Sequence, residues 1–177
     1  MRYRNRLLFR YIAAIAIMAI GTPIIYFLLS PLTFYLSYFS IFYFSPTLID
    51  STSFLISNIK LNFINACTAA SAYLLLILLT LTIDLKPKKT IKILLTGSLI
   101  ILIANIIRID ILIIALVKYG SNLFNTVHLI FWKVLSTVFV VILWIFLTKL
   151  FKIKEIPIYS DFKKVYGFHR ASRKNKL

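Results

Sequence analysis

The sequence predicts an all-α polytopic membrane protein: about four transmembrane helices and an external, aromatic helical segment that is interfacial or re-entrant. Three observations carry this. The chain of 177 residues is 60% hydrophobic, with a mean hydropathy of +0.91, more apolar surface than a water-soluble domain of this size can bury. Its apolar residues fall into runs of roughly 20, the length that crosses a hydrocarbon core as a helix. Its basic residues sit beside those runs.

The first run covers about residues 7–29, with Gly21, Thr22 and Pro23 inside it as a candidate kink. It is too long for the apolar core of a signal peptide and lacks a small-residue cleavage pattern, so it reads as a retained anchor. The second covers about 63–83, the third about 92–117 and the fourth about 127–150. Backbone groups in lipid must be satisfied within their own segment, which makes these runs helices. Segment 30–62 joins the first two. Phe34, Tyr35, Tyr38, Phe39, Phe42, Tyr43 and Phe44 crowd its first half, between Pro31 and Pro46. That stretch is short for a span and reads as an interfacial or re-entrant helix, serving as a membrane anchor or as a platform for another membrane-bound chain. Thr47 to Ile59 is a candidate second surface helix.

The net charge of +16 suggests nucleic acid until its distribution is considered. Arg2, Arg4, Arg6 and Arg10 precede the first run, Lys86, Lys88, Lys89 and Lys92 follow the second, and nine further Lys and Arg residues run from Lys149 to Lys176. Short basic clusters flanking apolar spans are the mark of cytoplasmic loops facing anionic lipid. They argue against a nucleic-acid partner. The two termini and the 84–92 loop therefore share the cytoplasmic side, which four spans satisfy. On this reading residues 1–151 form the membrane domain and 152–177 a basic cytoplasmic tail. The lone Cys67 excludes an intrachain disulfide. There is no metal-ligand cluster and no phosphate loop, so no cofactor is implied.

In so apolar a chain, polar residues within spans are the informative ones. The third span carries Asn105, Arg108 and Asp110. Asn105 and Arg108 are three apart and share a helical face, while Asp110 points elsewhere. Arg108 costs at least ~2.5 kcal/mol at such a depth unless it faces protein or water. Cys67 lies near the start of the second span among Ala66, Thr68, Ala69, Ala70, Ser71 and Ala72. Small residues permit close helix packing, and a lone membrane cysteine is ordinarily a small apolar filler. Ser71 lies one helical turn beyond Cys67. His128 opens the fourth span, with Trp132 one turn further in, and His169 lies in the tail.

Topology groups these residues. Cys67 lies ~7 Å below the outer surface at the helical rise per residue, and Arg108 ~15 Å deep with a side chain able to reach outward. His128 lies near the outer boundary. Three helices thus bring a thiol, a guanidinium and an imidazole to one half of the bundle.

These residues resemble the exosortase and archaeosortase family of membrane transpeptidases. The family pattern is an Ala-Cys-Ser/Thr-Gly segment, an Asn-x-x-Arg segment and a later His, all at outer helix ends. Ala66-Cys67-Thr68-Ala69 resembles the first, with Ala69 where the pattern has glycine. Asn105-Ile106-Ile107-Arg108 matches the second, and Tyr119-Gly120 followed by His128 resembles the third. The similarity covers about residues 60–135, and the chain lacks spans found at the front of larger members.

The resemblance implies cleavage of a C-terminal sorting tail from exported, membrane-anchored proteins. Cys67 would be the nucleophile, Arg108 the charge stabiliser and His128 the proton carrier, supported by Asn105, Thr68 and Ser71. A lipid or cell-envelope acceptor would then take the protein at the outer face of the plasma membrane. The alternative from another class is a non-catalytic membrane assembly or chaperone subunit, packing its small-residue helix on a partner. A transporter is a third reading, for which four spans leave little room. Accessibility of the Cys67 thiol discriminates the first two.

Overall fold

The structure, a computed structural model, describes residues 3–83, 85–131 and 136–153. The Trp132 position and the tail residues beyond Ile153, His169 among them, lie outside the described residues.

Helix α1 (Tyr3–Ser40) runs through both Pro23 and Pro31. Here the structure corrects the expectation of a first span ending near residue 29 and a separate aromatic helix after it: α1 carries most of the aromatic segment as its own upper part. Proline costs an apolar helix its N–H bond, yet the alternative in a membrane setting is an unsatisfied chain break, so the helix continues. Ile41 to Pro46 then forms a short 3₁₀ turn, Phe42–Phe44, in place of more helix.

The next stretch is not helical. Strands β1 (Thr47–Asp50), β2 (Ser53–Ile56) and β3 (Ile59–Asn62) form an antiparallel meander in the order β1-β2-β3. This overturns both the surface helix over 47–59 and a purely α fold. The reason is turn chemistry. Ser57 and Asn58 both adopt positive φ, 49° and 64°, and connect Ile56 to its partner Ile59, as a two-residue hairpin requires. At the other turn, Asp50 Oδ1 accepts from the Thr52 backbone N–H at 2.8 Å and from Thr52 Oγ1 at 2.9 Å, while Oδ2 accepts from Ser53 Oγ at 2.7 Å. These bonds hold the exposed Asp50 carboxyl down to about 2.

Phe54 and Ile56 project from β2 into a core with Phe34 and Ile41 of the α1 end and Ile109 and Ile113. Phe34 meets Phe54 and Phe63 at ring separations of 5.7 Å, and Tyr38 donates to the Pro46 carbonyl at 3.2 Å. Edge-on aromatic packing of this kind adds roughly 0.5–1.5 kcal/mol per pair beyond burial.

Helices α2 (Ala70–Leu81), α3 (Pro87–Ile130) and α4 (Ser136–Leu150) build a second, aliphatic core with α1. It contains Ile25, Tyr73, Leu76, Ile93, Ile101, Leu143 and Leu147. Gly97 makes it possible: a Cβ there would lie 2.6 Å from Leu76 Cδ2 and 3.0 Å from Leu147 Cδ1. Helix α3 is broken at Gly120, whose φ of 78° and ψ of −176° are not helical and favour glycine.

Among the described residues two helical stretches are long and apolar enough to cross a membrane, Leu8–Ser40 and Pro87–Ile130, each with an 18-residue window of high mean hydropathy, 2.4 and 2.7. The apolar helices Ala70–Leu81 and Val138–Leu150 are shorter. The expected 63–83 span is therefore reduced to the 12 residues of α2 behind a non-helical turn. The expected third span lies within the part of α3 before the Gly120 break, His128 lies in the helical part after that break, and α4 begins at Ser136, later than the expected 127.

Candidate active site

Arg10 Nε donates to the Leu81 carbonyl at 2.9 Å, which sets the start of α1 beside the end of α2. Ser40 Oγ donates to Asp110 Oδ1 at 2.7 Å, which sets the end of α1 beside the middle of α3. Asp110 is thus engaged by α1. Ser40, Asp110, the Cys67 turn and Asn105 lie at one end of the bundle, and Arg10, Leu81 and Pro87 at the other.

Cys67 lies in a 3₁₀ turn, Asn65–Thr68, and not in α2 itself. Its N–H donates to the Ile64 carbonyl at 2.8 Å. Ala69 follows in the left-handed region, φ 55° and ψ 35°, and α2 starts one residue later. This break separates Cys67 from the face on which a continuous helix would have set Ser71, and Ser71 is exposed. Thr68 is fully buried, and among the described residues its hydroxyl has no hydrogen-bond partner.

Asn105 and Arg108 converge on the same turn. Asn105 Nδ2 donates to the Cys67 carbonyl at 2.7 Å. Arg108 Nη2 approaches the carbonyls of Ala66 and Cys67 at 3.4 and 3.5 Å, weak contacts by length. Among the described residues Arg108 Nε and Asn105 Oδ1 are buried without a hydrogen-bond partner. Among the described residues no carboxylate pairs with Arg108. The half-buried Cys67 side chain packs against the aromatic core.

A cavity of about 240 Å³ lies beside this turn. Ile101, Ala104, Asn105, Ile107 and Arg108 line it from α3, together with Ala69, Ala72, Phe131 and Phe139. Cys67 and His128 are not part of its wall. Because Phe131 shares a wall with Ile101 and Arg108, the chain beyond Gly120 doubles back along α3. His128 lies three residues before Phe131, its ring stacked on Phe124 with centroids 5.7 Å apart. Among the described residues it makes no hydrogen bond to Cys67, Asn105 or Arg108.

The structure therefore joins Asn105 and Arg108 to the backbone of the Cys67 turn, records His128 against Phe124 and in no contact with those residues, and leaves Ser71 apart. Sequence reasoning missed Ala104, Phe131 and Phe139. The spacing of Ile101, Ala104, Asn105 and Arg108 gave a signal for one shared face, but nothing local marks the two phenylalanines. Among the described residues no group of three His, Cys, Asp or Glu side chains suits a metal ion. No family model, curated protein or solved structure matches the chain.

Proposed function

We propose that this chain is a multi-pass plasma-membrane transpeptidase of the exosortase and archaeosortase type. The single observation that supports this reading best is the convergence of Asn105 and Arg108 on the carbonyl of Cys67, from segments 38 and 41 residues away. Those are the residues on which the family resemblance rests. Ala69 adds to it: glycine stands at this position in the family pattern, and the backbone here is left-handed, the conformation glycine favours.

In this reading the termini and the 84–92 loop are cytoplasmic and the Cys67 turn faces outward, with α2 and α4 completing the bundle as shorter spans. The substrate is a membrane-anchored protein with a C-terminal sorting tail. The Cys67 thiolate attacks the scissile carbonyl, and the tetrahedral oxyanion collapses to a thioester as the tail amine leaves. His128 takes the thiol proton and returns it to that amine. This requires the segment after Gly120 to bring the imidazole within hydrogen-bond reach when substrate binds. Arg108 stabilises the developing negative charge, since a guanidinium has five N–H donors and its Nε is unused here. A nucleophile on a lipid or envelope acceptor, or water, resolves the thioester.

A second reading, a non-catalytic assembly or chaperone subunit, is favoured by one observation: the Cys67 side chain packs on the aromatic core and does not line the cavity. The deciding experiment is Cys67→Ala, expected to abolish tail removal at unchanged membrane levels. Normal processing by that variant returns the chain to the second reading. Reporter fusions at residue 88 and at the C-terminus should both read cytoplasmic, and an external signal from either would overturn the shared outer site.

A further inference from the structure

We propose that the outer edge of β3, continued by Phe63 and Ile64, docks the extended segment of the substrate that precedes the scissile bond, as a further strand of the meander parallel to β3. The ladder fixes which backbone groups are open. β3 pairs with β2 in unbroken antiparallel register, from Ile56↔Ile59 to Ser53↔Asn62. The two-residue turn makes Ile56 and Ile59 a hydrogen-bonded pair, and bonded and non-bonded pairs then alternate. Phe63 N–H donates to the Thr52 carbonyl at 2.8 Å, continuing the alternation. Ile59, Leu61 and Phe63 therefore turn their N–H and C=O groups towards β2, and Lys60, Asn62 and Ile64 turn theirs away. Ile64 is still extended, φ −101° and ψ 163°. Lys60, Asn62 and Ile64 are exposed. Among the described residues their outward groups have no partner, save that the Ile64 carbonyl accepts from the Cys67 N–H at 2.8 Å.

The two edges of the meander differ. On β1 the register shifts between Leu48 and Asp50, and an irregularity of that kind blunts a strand as a template. The β3 edge carries no bulge and no proline, and it leads straight into the turn that holds Cys67, three residues after Ile64. A row of alternating N–H and C=O groups is complemented by another extended backbone. A lipid head group does not repeat at that spacing, so the edge selects a polypeptide. A second copy of this chain could pair with it edge to edge, but continuity with the Cys67 turn favours the segment that must reach the thiol.

Direction and end point rest on the transpeptidase reading. The departing tail enters the lipid, the way this chain itself runs from β3 through the Cys67 turn into α2, so a substrate passing Cys67 on that course lies parallel to β3. In a parallel pair the Lys60 C=O and Asn62 N–H hold one substrate residue, and the Asn62 C=O and Ile64 N–H hold the residue two further on. The next acceptor, the Ile64 carbonyl, is already taken by Cys67. Pairing ends there, and the chain that follows is delivered to the Cys67 turn.

The test uses the full chain in phosphatidylcholine vesicles and a blocked heptapeptide of alternating threonine and valine with a benzophenone at its C-terminal end. Cross-linked positions are mapped by mass spectrometry. Labelling should saturate and fall on Asn65–Thr68. The same peptide N-methylated throughout should label about tenfold less, the scale of one buried hydrogen bond. Asn62→Pro removes an outward N–H without touching the β2 ladder, as proline on an edge allows, and should cost a similar factor. Leu48→Pro, placed on the β1 edge, should label as the wild type does. So should Cys67→Ala, which reads docking apart from nucleophilic chemistry. Equal labelling by the N-methylated peptide, full labelling of Asn62→Pro, or no saturable labelling would overturn the edge. Labelling on Ser57 and Asn58 would overturn the parallel direction. Cross-links from β3 to β3 between copies, with the peptide excluded, would overturn the substrate as occupant and assign the edge to self-association. If docking holds while Cys67→Ala processes substrate normally, the peptide site stands and the transpeptidase reading falls.

Discussion

The two ends of the bundle are held together by different means. Around Leu76, Ile93 and Leu147 the core residues are mainly aliphatic, with Tyr73 among them, and pack helix against helix, with Gly97 allowing the close approach. Around Phe34, Phe54 and Ile109 the core is aromatic, and one wall is a small β-meander. The Cys67 turn lies at the seam: the cysteine packs on the aromatic core, and Ala70 three residues later belongs to the aliphatic one. The difference teaches how a membrane protein assigns its surfaces. Helix-only packing is suited to lipid, where no backbone group can be left open. Strands with exposed edges need water, and so belong at the membrane surface.

The sharpest way to break this comparison is to truncate one residue from each core. Phe54→Ala should cost ~3–5 kcal/mol, the range for a buried aromatic in water-facing packing. Leu76→Ala should fall nearer ~2 kcal/mol, the bottom of the range for a buried leucine, because in lipid the separated helices lose packing without exposing the side chain to water. Reversible unfolding in lipid–detergent mixtures measures both. Equal costs would place the two cores in the same solvent and remove the contrast.

Next in size is Arg108→Lys, which probes the seam. Lysine keeps the charge and loses the planar fork of donors. The protein should reach normal membrane levels and lose ~10²-fold or more in single-turnover acylation, as when one oxyanion donor is removed. A folded variant that acylates at the wild-type rate would make Arg108 a brace for the Ala66 and Cys67 carbonyls and nothing more.

The smallest effect is at the meander. The Asp50 carboxyl is held to about 2 in the folded chain, below the ~3.9 of an unfolded aspartate. A depressed carboxyl stabilises the folded state above the unfolded value, and that contribution disappears as pH falls through the folded one. The turn should therefore keep its full support above pH ~4 and lose it on the way to ~2. Asp50→Asn should flatten that dependence with little change near neutrality, measured on the strand infrared band. An identical acid profile in wild type and variant would show that the carboxylate does not hold the turn.

How much of this was legible depended on the range of the signal. Apolar runs of lipid-crossing length gave the helical class, and the spacing of Asn105 and Arg108 gave their shared face, because both are properties of one helix. The meander was hidden because its strands are four residues each, too short for alternation to stand out beside so many aromatics. The Ser57-Asn58 turn was the available signal. Pro31 looks like a boundary in the sequence, yet α1 runs through it because its setting leaves the helix no better option. The 3₁₀ turn at Cys67 was absorbed into a span because small residues suit a helix equally well, and only the left-handed Ala69 divides them. His128 depended on the doubling back after Gly120, a long-range event with no local pattern.

Helix α1 has one more consequence, set by its length. Its 38 residues measure about 57 Å at the helical rise, against roughly 30 Å for a hydrocarbon core. Ser40, which grips Asp110, therefore rides on a mast whose height over the lipid depends on how the apolar band settles. A thicker bilayer would draw the Cys67 turn closer to the head groups, and a thinner one would tilt the mast or raise the turn. Membrane thickness thus becomes a setting for the height of the Cys67 turn, and under the proposed function for how far from its anchor a substrate would be cut.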